Sequence, residues 1–341
     1  MAEDLAAARF AASYRAPWWL PGGNAQTIWA ATQARRRLVP ARGAVVWARE
    51  RWEAPDGDFI DVDTTAHASA PGAPMLVLFH GLEGSSASAY AEAFADVAEA
   101  WGVPLAVPHF RGCSGELNRA PRAYHSGDHA EIDWILRRLA AAQPDRALLA
   151  AGVSLGGNAL LRWAGEQGTQ AAAVVKAVAA ICSPLDLAAG GQAIGRGFNR
   201  LVYTRMFLRT MVPKALAKLA QHPGLFDRNA LLAARDLYAF DNVFTAPLHG
   251  FRNTEDYWTR ASAKPLLHAI RVPALALNAL NDPFVPAASL PGPADVAAGV
   301  TLWQPAQGGH VGFPVADPPW RWSVHVRAMP EAVGRWLLAH V

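Results

Sequence analysis

The chain has 341 residues, 52% of them hydrophobic and 17% charged, with 31 Lys and Arg against 28 Asp and Glu for a net charge of +3. That length and apolar content exclude a disordered chain and supply enough residues for a large core. A surplus of three charges is no nucleic-acid footprint, and Arg35, Arg36 and Arg37, the one tight basic run, read as a solvated helix end.

No membrane span is expected, because the most apolar stretch, 171–187, is interrupted by Lys176, Pro184 and Asp186. The first residues carry Glu3 and Asp4 and lead into no apolar run of the secretory kind. Cys113 and Cys182 are too few for a disulfide framework, which fits a reducing cytoplasm. The composition therefore predicts a globular cytoplasmic protein.

In chain order, an arm of about 1–43 comes first, with Pro17-Trp18-Trp19-Leu20-Pro21 followed by Gly22-Gly23-Asn24. Prolines and large aromatics predict an extended segment anchored on the body by Trp18 and Trp19. Short apolar runs then predict strands at 45–52, 59–63, 75–80, 105–108, 147–153, 177–182, 274–279 and 300–304. Several are continuous rather than alternating, as in strands covered on both faces. Helical segments fall between them at 89–101, 128–142 and 158–167, and a last one at 330–340. Asp128 with Glu131 three positions later has the form of a capping box. The alternation predicts an α/β fold with a mostly parallel eight-stranded sheet flanked by helices, its functional residues beyond the strands' carboxyl ends. Residues of about 184–268 break the pattern with helices alone and read as a helical cap inserted into one domain spanning 1–341.

Chemistry enters at Gly152-Val153-Ser154-Leu155-Gly156-Gly157, a G-x-S-x-G between an apolar strand and a helix. Such a turn is tight, needs glycine on both sides, and would lift Ser154 Oγ above the sheet at a helix N-terminus. A base and an acid must follow in the order serine, acid, histidine. Of six later histidines only His310 sits in a glycine-rich loop directly after a predicted strand. Asp282, leaving the preceding strand in Asn281-Asp282-Pro283, is the first choice of acid, with Asp186 its rival. The backbone N–H groups of Leu155 and Leu82 are candidates for an oxyanion hole, and His80 beside Leu82 reads as a brace for that loop.

Three alternatives stand beside this. His125 and His129 flank Asp128 at a metal-like spacing but lack a third ligand. Cys113 reads as loop packing rather than as a nucleophile. Between Gly191 and Ala220 six basic residues (Arg196, Arg200, Arg205, Arg209, Lys214 and Lys218) interleave with apolar ones and meet no acid. That stretch is either a solvated face over an acyl pocket or a surface for peripheral contact with anionic lipid.

Several motifs resemble those of YheT-type alpha/beta-hydrolases, relatives of plant embryogenesis-associated proteins. They are Gly23-Asn24-Ala25-Gln26-Thr27-Ile28, His80-Gly81-Leu82-Glu83-Gly84-Ser85-Ser86, Phe110-Arg111-Gly112-Cys113-Ser114-Gly115-Glu116, Pro121-Arg122-Ala123-Tyr124-His125-Ser126-Gly127, the serine turn, Phe244-Thr245-Ala246-Pro247-Leu248-His249-Gly250-Phe251 and Gly308-Gly309-His310-Val311-Gly312-Phe313. The family's N-terminal segment has the form N-P-H-x-Q-T, from which Gly23 and Ala25 depart. The resemblance implies a carboxylesterase-like hydrolase with a Ser154–Asp282–His310 triad, no metal and no organic cofactor. Small-molecule esters or lipids are then the partners to expect, and nucleic acid is not. The same triad also serves acyl transfer, and a non-catalytic binding scaffold is the remaining alternative.

Overall fold

A computed structural model of the protein describes residues 10, 12–34, 45–67, 69–70, 72–316 and 324–341. Its centre is an eight-stranded sheet of order β1-β2-β4-β3-β5-β6-β7-β8. The strands are β1 (Trp47–Glu53), β2 (Phe59–Thr65), β3 (Met75–Phe79), β4 (Leu105–Pro108), β5 (Leu148–Val153), β6 (Ala177–Ile181), β7 (Ala274–Leu277) and β8 (Val300–Trp303). β2 runs antiparallel to both β1 and β4, and every other pairing is parallel. β3, β5, β6 and β7 are buried throughout, which is why their sequences are unbroken apolar runs. β1 is the exposed edge; Arg49 and Arg51 on it pair with Asp63 and Asp61 of β2.

Helices cover both faces. Among the described residues, the α-helices of six residues or more are, in chain order, α1 (Gly22–Trp29), α2 (Ala89–Ala100), α3 (His129–Ala142) and α4 (Leu155–Gln167), then α5 (Leu187–Ile194), α6 (Arg205–Gln221), α7 (Arg228–Ala233) and α8 (Thr254–Ala261) between β6 and β7, and α9 (Ala328–Leu338) after β8. One apolar cluster packs α3 and α4 on the sheet through Ile132, Ile135, Leu160 and Trp163. The other packs α2 and α9 on the opposite face through Phe94, Val333 and Trp336. Among the described residues no helix is long and apolar enough to cross a membrane.

Three expectations are corrected. The arm is not extended throughout, because after Pro21 the chain turns into α1, and Trp18 is 74% exposed rather than an anchor. Among its described residues Tyr14, Leu20, Gln26, Thr27 and Trp29 are buried, along with Pro17, Ala30 and Ala34, and Trp19 lies edge-on to Trp29. Asp128 and Glu131 form no capping box. Asp128 makes no cap hydrogen bond and binds Arg122, while Glu131 binds Arg111 at 2.6 Å. Both carboxylates are buried and pair with neighbouring guanidiniums instead of capping the helix, Glu131 through Oε2. The Arg35–Arg37 run lies outside the described residues.

Candidate active site

Ser154 stands between β5 and α4 with φ +52°, a backbone conformation that L-residues avoid. The strain is held by its surroundings, including the Ser154 N–H bond to the Ile181 carbonyl at 2.8 Å. Glycine is required on either side for space. A Cβ on Gly152 would lie 2.5 Å from the Gly156 oxygen, and one on Gly156 2.5 Å from the His80 oxygen.

His310 lies on the loop after β8, with Nε2 at 3.0 Å from Ser154 Oγ and Nδ1 at 2.9 Å from Asp282 Oδ2. Asp282, on the loop after β7, is buried, and its other oxygen accepts the N–H groups of Phe284 and Val285. Asp186 is elsewhere, capping α5 through the Ala189 N–H. Of the candidate residues, Ser154, His310 and Asp282 come together in one chain of hydrogen bonds and Asp186 does not join it.

The turn after β3 packs on the serine, since a Cβ on Gly81 would lie 3.2 Å from Ser154 Cβ. Among the described residues neither the Leu82 nor the Leu155 N–H has a hydrogen-bond acceptor, and both residues line the cavity at Ser154. His80 is buried behind this turn, with Nε2 accepting the Phe110 N–H at 3.0 Å and Nδ1 at 2.8 Å from the Gly81 carbonyl. Burial holds its pKa down to about 3, so it braces the loop as a neutral ring.

Two residues that sequence reasoning passed over hold the histidine loop. Thr27 Oγ1 accepts the His310 N–H at 2.8 Å and donates to the Gly23 carbonyl. Gln26, fully buried, accepts from the Gly308 N–H and from Asn281 Nδ2, and donates to the Leu20 carbonyl. Helix α1 thus ties the acid-bearing and base-bearing loops together. Its approach is close enough that a Cβ on Gly23 would lie 1.8 Å from the Asn281 oxygen. The signal was the Gln26-Thr27 pair, legible only as a motif. Cys182, at φ +50° past the end of β6, accepts the Val311 N–H on Sγ at 3.2 Å.

Two chambers meet at Ser154 and His310. The first, about 160 Å³, runs under the inserted helices between Leu187, Ile194, Met211, Phe240, Phe244 and Trp258. The second, about 410 Å³, opens along Ile28, Ala31, Val202, Met206, Val326 and Met329. Leu82, Phe207 and Phe284 belong to both.

The basic stretch divides. Lys214 turns inward to Glu83 at 2.9 Å, and Lys218 is buried on the carbonyls of Asn118 and Ala120. Arg196, Arg200, Arg205 and Arg209 remain exposed beside Phe198, Leu201, Val202 and Met206. Cys113 is buried, which pushes its thiol up to about 12, a value at which it is no nucleophile near neutrality. His125 faces the His249 ring, 4.5 Å away centroid to centroid.

A protein-family model described as the alpha/beta hydrolase fold matches residues 74–317. The Escherichia coli (strain K12) protein named "Putative esterase YheT" is 39% identical over 267 residues, 77% of this chain and 78% of that one. Human "Phospholipase ABHD3" is 27% identical over 86% of this chain and 72% of its own length. Among solved structures, the Pyrococcus furiosus esterase PF2001 superposes with a TM-score of 0.52 at 14% identity, over 86% of this chain and 92% of that one. That last likeness is one of fold.

Proposed function

The chain belongs to the alpha/beta-hydrolase family, among the relatives of YheT, and is a hydrolase of ester bonds; we propose that it works as a serine hydrolase on carboxylic esters with apolar chains, through an acyl-enzyme on Ser154. The observation that carries this is the His310 imidazole spanning Ser154 Oγ at 3.0 Å and Asp282 at 2.9 Å, at the junction of two apolar chambers.

In the proposed cycle Ser154 Oγ attacks the ester carbonyl while His310 Nε2 takes its proton. Asp282 holds the imidazole by Nδ1 and stabilises the imidazolium. The carbonyl oxygen gains a negative charge and receives the Leu82 and Leu155 N–H groups, which have no other acceptor among the described residues. Collapse breaks the C–O bond to the alcohol, which leaves with the proton from His310. Water, activated by the same ring, then attacks the acyl-enzyme and frees the acid.

Apolar walls on both sides of the serine favour esters whose acyl and alcohol parts both carry hydrocarbon, the chemistry of lipids. The phospholipase name of the human relative points the same way. The exposed face at 196–209 supports delivery from a bilayer. Four arginines complement anionic headgroups, Phe198, Leu201 and Met206 are each at least half exposed, and Val202 and Met206 also line the second chamber. Flotation with anionic vesicles tests this, with binding expected at low salt and lost in Arg200→Glu/Arg205→Glu. No binding of the unaltered protein at low salt would end the idea.

Intact mass after treatment with a fluorophosphonate tests the chemistry. One adduct is expected on the folded protein and none on Ser154→Ala. An unlabelled, folded wild type would remove the nucleophile assignment.

A further inference from the structure

We propose that Lys214, Glu83 and Tyr124 act as a positioning device for the oxyanion-binding turn, through which the inserted helix α6 sets the place of the Leu82 N–H. The proposal rests on the serine-hydrolase reading of the site.

Leu82 lies between Gly81, packed against Ser154, and Glu83. Glu83 has φ +57°, a conformation that a non-glycine residue keeps only when its surroundings impose it. Three contacts impose it. The Glu83 N–H donates to Tyr124 Oη at 2.9 Å, and the Tyr124 O–H donates back to Glu83 Oε1 at 2.9 Å. Lys214 Nζ donates to Oε1 at 3.0 Å and lies 2.9 Å from Oε2. The Gly84 N–H closes the turn on the Gly81 carbonyl at 2.9 Å. Backbone and side chain of Glu83 are thus both fastened, and the only N–H of residues 81–84 with no acceptor among the described residues is that of Leu82.

The fasteners come from separate parts of the fold. Tyr124 precedes α3 and stacks on Phe110 with ring centroids 5.5 Å apart, nearly parallel. Burial holds its phenol well above its ordinary pKa, so it remains a donor to the Glu83 carboxylate. Lys214 comes from α6, more than one hundred residues away in sequence, and the carboxylate it grips is only about 10% exposed. An ammonium on a screened carboxylate is a stronger tether than the same pair in open water. Loss of Lys214 removes one of these three contacts and leaves the Glu83 side chain held by Tyr124 alone, which loosens the strained turn and the Leu82 N–H with it. An oxyanion donor is sensitive to such displacement, since its whole contribution to kcat is about 10²–10³-fold and depends on distance.

The experiment compares Lys214→Met, Lys214→Arg and Glu83→Gln with the unaltered protein on p-nitrophenyl butyrate, with thermal midpoints recorded for each. Lys214→Met and Glu83→Gln are expected to lower kcat about tenfold with KM within twofold, and Lys214→Arg to recover most of the loss. An unchanged kcat, an effect confined to KM, or a kcat loss matched by loss of folded protein would overturn the positioning role. A wild type that neither turns over the ester nor takes the fluorophosphonate would instead remove the serine-hydrolase reading, and the positioning role with it.

Discussion

The hydroxyl of Thr27 accepts the backbone N–H of His310 at 2.8 Å, across 283 positions of sequence. That bond joins those from Gln26 and Cys182 in setting the height of the histidine loop over Ser154, and Thr27 is itself held by its bond to the Gly23 carbonyl. Thr27→Val keeps the shape and removes the acceptor, leaving the His310 N–H unpaired at a cost of about 1–3 kcal/mol. Expected are a fall in kcat of about tenfold and a lowered thermal midpoint, with Thr27→Ser close to wild type. Steady-state kinetics and a melt on the three proteins check it, and a Val variant with unaltered kcat would refute the role.

Asp282 accepts two backbone N–H groups on one oxygen and meets His310 with the other. Asp282→Asn preserves the shape but presents an amide to Nδ1 and favours the wrong imidazole tautomer. A loss of about 10⁴-fold in kcat is expected with the fold intact. Circular dichroism alongside turnover separates this from unfolding, and a loss of tenfold or less would point to another acid.

If the two chambers take the two halves of an ester, narrowing each has a separable effect. Met211 lines the first and Met206 the second. Met211→Trp and Met206→Trp should shorten the preferred chain on opposite sides of the ester bond, by several-fold in kcat/KM for the longest chains. A matrix of esters varied on each side gives the answer. Shifts on the same side for both variants would mean one continuous pocket.

Buried titratable groups oppose one another below neutrality. Burial holds His80 and His125 down to about 3, so between there and about 6.5 the unfolded chain binds two protons that the fold does not. Stability from these falls as pH drops. Burial, with Asp128 nearby, raises Glu131 to about 7, and burial raises Asp241 to about 6. Those two are protonated in the fold first, so their contribution grows as pH drops. Between about 4.5 and 6 the pairs offset each other, and His249, pushed down by burial, adds a shallow acid-side decline. Asp241→Asn removes one compensating proton, and its stability should fall by about 1.4 kcal/mol per pH unit more steeply than wild type. Urea midpoints from pH 4.5 to 6.5 measure this; parallel curves would contradict it.

The sheet was readable because its inner strands are buried on both faces, which leaves unbroken apolar runs such as Met75–Phe79. The serine turn was readable because steric demand forces glycine at 152 and 156. Asp282 and His310 were singled out by chain order together with their places in loops directly after predicted strands. Helix α1 was not readable as a helix, since the prolines and tryptophans just before it suit an extended arm and its role rests on contacts almost three hundred residues away. Lys214 and Lys218 look identical in sequence to the arginines before them. Only packing decides that they face inward, the one to a carboxylate and the other to carbonyls. Asp128 and Glu131 mimic a helix cap for the same reason: their guanidinium partners lie elsewhere in the chain.

The long reach of α1 bears on when in its lifetime the enzyme can act. Tyr14 bonds the Pro314 carbonyl, Gln26 the Gly308 N–H and Thr27 the His310 N–H, so the segment 14–27 waits for the segment 308–314, made almost three hundred residues later. During synthesis the serine turn, β5 and β6 can assemble while the base is still inside the ribosome. The proposed site is therefore incomplete until synthesis has passed residue 310 and the two segments have met. The same joint makes turnover a reporter of its own integrity, since loss of the Gln26 and Thr27 contacts unfastens the histidine loop without touching the serine.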